Sequence, residues 1–152
     1  MTRQTQTLIG VIILFAGALV YITDRPAESA MFINNFTPGL SLYNRMPLLF
    51  GVTGNNLPGF VHTFSFSMIT AGAFGNTKAD YKTICLFWFA VNSLFELGQK
   101  YNHIAIKLSP AKAMHPFFLN GTFDLFDIVA FALGGLTAYA LLVTLVKKEL
   151  TV

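Results

Sequence analysis

The chain has 152 residues, of which 54% are hydrophobic and 11% charged, with a mean hydropathy of +0.59. That balance excludes an ordinary soluble domain and predicts a polytopic membrane protein; four spans of about 20 residues each nearly exhaust the length. The net charge of +3 and the pI near 9.1 do not point to nucleic acid, because the basic residues are scattered singly between apolar segments and read as topology signals.

The expected fold is all-α: a single transmembrane domain over residues 1–152, a four-helix bundle with helices at about 8–22, 57–74, 81–98 and 126–146. The first run, Leu8 to Ile22, contains Ala16-Gly17-Ala18 and resembles a secretory leader, but its apolar stretch continues past that motif, so it is expected to stay as helix one. The connection from Thr23 to Asn56 carries Pro26, Pro38 and Pro47 yet is rich in apolar residues such as Phe32, Ile33, Phe36, Leu48 and Leu49. It is too apolar for a solvated loop and is expected to fold back as an outer lid.

Helix two mixes His62, Thr63, Ser65, Ser67 and Thr70 with Phe60, Phe64, Phe66, Met68 and Ile69, which suits a bundle interior. Thr63, Ser67 and Thr70 share a face and are expected to bond to neighbouring helices or to their own carbonyls. Helix three carries Asn92, Glu96 and Gln99 along one face towards its end, and Cys85 within it is expected to be a buried structural thiol. The connection from Gln99 to Phe123 is more polar, with His103, Pro110, His115 and Pro116. In helix four, whose clean apolar run is Ile128 to Val146, Ala130, Gly134 and Ala138 form a small-residue stripe for close helix contact, expected to dock a second copy or a larger membrane complex.

Lysine and arginine density sets orientation. Arg3, Lys78, Lys82, Lys147 and Lys148 lie in short segments, whereas Arg25, Arg45, Lys100, Lys107 and Lys112 are diluted over the two long connections. Both termini are therefore expected in the cytoplasm. His62, Glu96, Gln99, Asn92, Asp124 and Asp127 then gather at the outer face as a candidate binding cluster. Asp124 and Asp127 also fit an acidic capping box at the start of helix four. Glu96 stands at a helix C-terminus, where the dipole disfavours an anion, so a partner is expected: His62, Arg45, Lys100, a metal or a shared proton. No zinc-type spacing and no nucleophile or phosphate-loop motif occurs, so neither a metal nor a cofactor is expected.

From Pro58 to Tyr139 the order of motifs resembles the VanZ-like family of small membrane proteins. The resemblance rests on His62 in Phe60-Val61-His62-Thr63-Phe64, on Glu96 and Gln99 in Phe95-Glu96-Leu97-Gly98-Gln99, and on Asp127 with Gly134 following. Pro58 and Gly59 replace the family's charged pair, Phe131 its asparagine, and no arginine precedes Thr122. The resemblance implies a place in the cell envelope and an association with glycopeptide (teicoplanin) resistance, and names no reaction.

The expected function is binding of an envelope lipid, glycolipid or glycopeptide at an outer-face polar cleft of a multi-pass protein in the bacterial plasma membrane. Two alternatives stand beside it: a small intramembrane acid-base enzyme acting on a lipid-linked substrate, and an accessory subunit of a larger membrane complex.

Overall fold

The computed structural model describes residues 2–26, 41–109 and 112–149, and all of its regular structure is helical among those residues. Four long helices, α1 (Arg3–Thr23), α2 (Leu57–Phe74), α3 (Lys78–Lys100) and α6 (Leu125–Glu149), pack around α2, which touches the other three. Two short helices, α4 (Asn102–Leu108) and α5 (His115–Asn120), turn the chain between α3 and α6. Of the long helices, α1 and α6 are long and apolar enough to cross a membrane.

The boundaries depart from sequence expectation for local reasons. Thr2 caps α1 by accepting the Thr5 amide at 3.2 Å, so the helix starts in the polar leader rather than at Leu8. Thr77 and Asp80 form a capping box that starts α3 at Lys78. The connection after Gln99 is not a plain polar loop, since α4 and α5 occupy much of it; Pro110 lies outside the described residues. So do Phe32, Ile33 and Phe36, on which the expected lid largely rests.

The core joins Phe64, Met68 and Ala71 of α2 to Tyr81 and Cys85 of α3 and Ala138 and Leu142 of α6, with Ile9 and Ile13 packed from α1. Buried among these apolar groups are Gln6, Thr63, Ser65 and Ser67. The exterior is apolar instead: Leu8, Ile12, Phe15 and Leu19 project from α1, and Val129, Leu133 and Leu136 from α6, with Phe15 72% exposed.

Small residues set the helix spacing. A Cβ on Gly134 would stand 2.5 Å from the Phe60 carbonyl oxygen, so α6 approaches α2 as closely as backbone allows. Gly10 gives α1 the same approach, with the Ser65 carbonyl 2.8 Å from its Cβ direction. The stripe of Ala130, Gly134 and Ala138 is therefore buried within this chain. That corrects its expected use: the surface assigned to docking a second chain is covered by the chain's own α2.

Cross-helix bonds follow the hydroxyl face of α2. Asn92 Nδ2 donates to Thr63 Oγ1 at 2.9 Å and Trp88 Nε1 to Thr70 Oγ1 at 2.9 Å, which fixes the rotation of α3 against α2.

Candidate functional site

One end of the bundle gathers the C-termini of α1 and α3 with the N-termini of α2 and α6. The chain leaving α1 is pinned there by two consecutive residues. Asp24 accepts the Leu49 and Phe50 amides at 3.0 and 2.8 Å, and Arg25 donates to the carbonyls of Gly54 and Asn55. Desolvation pushes the Asp24 carboxyl up, but the Thr23 hydroxyl and the Phe50, Leu49 and Gly51 amides outweigh it and hold the group below the usual carboxylate range. The Arg25 guanidinium also lies 5.4 Å from the Tyr21 ring centroid.

This anchoring delivers Asn56 to the start of α2. Its side chain makes no capping bond to its own helix. Instead Nδ2 donates to Asp124 Oδ2 at 3.1 Å and to Asp127 Oδ1 at 2.8 Å, so one neutral amide bridges two carboxylates at the start of α6. Glu96 completes the knot. It is 5% exposed, and its Oε1 accepts the Asp124 backbone N–H at 2.6 Å. The expected partners of Glu96 were a cationic side chain, a metal or a shared proton; the partner found is a backbone amide. The dipole objection to an anion at the end of α3 is offset because the same carboxylate sits on the N-terminus of α6.

The six candidate residues divide accordingly. Glu96, Asp124 and Asp127 come together. Asp124 Oδ1 accepts the Phe126 amide at 2.9 Å and so caps α6, whereas Asp127 bonds outward to Asn56 rather than back to its own cap. Asn92 sits deeper, on Thr63. His62 stacks between Tyr21 and Phe66, with ring centroids 6.3 and 5.9 Å away, and has no described bond to the carboxylates. Gln99 packs beside Gly121, whose Cβ direction meets the Gln99 amide carbon at 2.4 Å.

Asn56, Asp24 and Arg25 belong to the network and were not foreseen as site residues. Asn56 carried a signal, an asparagine just before a helix with proline at its second position, but that signal reads as a cap. Its bridging role depends on where α6 lies.

Among the described residues no group of three or more His, Cys, Asp or Glu side chains is placed to hold a metal ion. Two shallow, open surface grooves lie away from the knot, one of ≈ 380 Å³ beside Arg3, Thr7 and Gly72 and one of ≈ 240 Å³ at the α3–α4 corner. The expected cleft over the polar cluster is therefore not among them. The described hydrogen bonds use one oxygen each of Glu96 and Asp127, and the chemistry open to such a cluster is acceptance of hydrogen bonds from hydroxyl or ammonium donors. Comparison with known proteins gave no matching family model, no matching curated protein and no matching solved structure.

Proposed function

We propose that the chain is a VanZ-like, four-span protein of the bacterial plasma membrane with both termini cytoplasmic, whose outer carboxylate cluster binds the hydroxyl- or amine-bearing headgroup of an envelope lipid or glycolipid. The observation that carries this reading is the distribution of polarity. Apolar side chains cover the exterior of α1 and α6, polar ones are buried against α2, and three carboxylates are gathered at one end. A chain in water would reverse the first two, whereas lipid tolerates the first and requires the second to be paired or enclosed. The α2 helix, which carries Thr63, Ser65 and Ser67 fully buried, is enclosed by its three neighbours.

The ligand class follows from the donor deficit of the cluster. Its described donors are two backbone amides and the Asn56 amide, and carboxylates short of donors favour sugar hydroxyls or ammonium groups. A glycopeptide presents the same groups. The order of His62, Glu96, Gln99 and Asp127 supports the family resemblance, although His62 stands apart from the carboxylates.

The test uses detergent-purified full chain and native mass spectrometry, comparing retention of monoglucosyldiacylglycerol with that of plain diacylglycerol. Glu96→Gln and Asp127→Asn each keep an acceptor oxygen for the internal bond while removing charge. The glycolipid is expected to be held preferentially and the double variant to lose about tenfold in retention. Equal retention of the two lipids, or a double variant that binds as the parent does, sinks the reading.

A further inference from the structure

We infer that the corner between α3 and α4 is a binding site for an anionic phospholipid of the surrounding bilayer. Leu94 and Leu97 on α3, Tyr101 at the corner, and Ile104, Ala105 and Leu108 on α4 line an apolar groove of ≈ 240 Å³. It opens on the outside of the bundle, where Leu94 and Leu108 are exposed, and it suits an acyl chain lying along the helix.

Charge decides the headgroup. Between Glu96 and Asp124 the sequence contains Lys100, Lys107 and Lys112 and no acidic residue. All three lysines are exposed. Lys107 lies in the last turn of α4, which forms one wall of the groove. The Lys100 ammonium is 4.9 Å from the Phe123 ring centroid and 5.8 Å from that of Tyr101, which keeps a cation at the rim. A basic, acid-free segment beside an apolar groove is complementary to a phosphate-bearing headgroup on an acyl chain, on whichever side of the bilayer it lies.

This site rests on the membrane reading but not on the carboxylate cluster, and it holds for either orientation of the bundle. Membranes containing the full chain are first washed in alkaline carbonate. The retained protein is then purified in detergent and offered equal amounts of dioleoyl-phosphatidylglycerol and dioleoyl-phosphatidylcholine, with bound lipid read by native mass spectrometry. Preferential retention of the phosphatidylglycerol is expected. The Lys100→Gln/Lys107→Gln/Lys112→Gln variant should lose about fivefold in that preference per lysine removed. An Ile104→Ser/Leu108→Ser variant should weaken retention of both lipids alike. These five side chains are exposed, so the variants should keep the helical circular dichroism of the parent. Release of the protein by carbonate overturns this site and the four-span reading together. A carbonate-resistant protein that binds both lipids equally, or whose preference survives the lysine substitutions, overturns the lipid site alone.

Discussion

Two long helices of this chain begin on acidic residues, α3 at Asp80 and α6 at Asp124 and Asp127, and the two starts are held in different ways. At α3 everything is local. Asp80 Oδ2 accepts the Asn76 and Thr77 amides, each at 2.9 Å, while Thr77 Oγ1 accepts the Asp80 amide at 3.1 Å. At α6 only the Asp124 cap is local, and the other partners, Asn56 and Glu96, come from different helices. The same sequence signal thus closes a helix in one place and ties helices together in the other. What separates them is the cap residue three positions earlier: Asp80 has Thr77 to reciprocate, whereas Asp127 follows another carboxylate, Asp124.

The sharpest way to break the contrast is Asn56→Asp. It removes the amide that two carboxylates share and puts a further carboxylate in its place. Thermal unfolding in detergent should show a loss of about 3 kcal/mol, with Asn56→Gln losing much less. An Asn56→Asp protein as stable as the parent would mean the carboxylate knot carries no weight.

Glu96→Ala is expected to cost about 2 kcal/mol by leaving the Asp124 amide without its acceptor, and Glu96→Gln should recover most of that because the amide oxygen can take the same bond. Equal losses in the two variants would show that charge, rather than the acceptor, is what α6 needs.

Thr77→Ala, at the local start, should cost about 1 kcal/mol and leave glycolipid retention unchanged. A change in retention would link the two ends of the bundle and blur the comparison.

The smallest effect is on pH dependence. The Asn76 and Thr77 amides and then the Thr77 hydroxyl hold the Asp80 carboxyl below its ordinary range. A carboxyl lowered in the folded state stabilises above its unfolded pKa and loses that contribution as pH falls through the folded value. Unfolding temperatures of the parent and Asp80→Asn should therefore converge as the medium is acidified below the ordinary aspartate range, and separate again above it. Parallel curves across that range would remove the pH contribution assigned to Asp80.

Glycine and alanine spacing in the last helix was legible as a packing stripe but not as a packing partner. Gly134 signals a close approach wherever it occurs, and only the position of Phe60 on α2 shows that the approach is internal. Cys85 was easier to read, since a lone thiol in an apolar run is buried whichever neighbour covers it. The Thr77-Lys78-Ala79-Asp80 box was present in the sequence as a helix start, and the apolar run beginning at Tyr81 drew the boundary away from it.

By itself the sequence determined the all-helical class, the extent of α2, the apolar character of α1 and α6, and the cap at Asp124, because periodicity, composition and capping act within a few residues along the chain. Tertiary structure decided the partners: that Glu96 would meet an amide rather than a cation, that Asn56 would bridge two aspartates, and that His62 would stack between rings away from the carboxylates. Those contacts join residues far apart in the chain, and a side chain's nearest polar group is fixed only when the helices that carry both have packed.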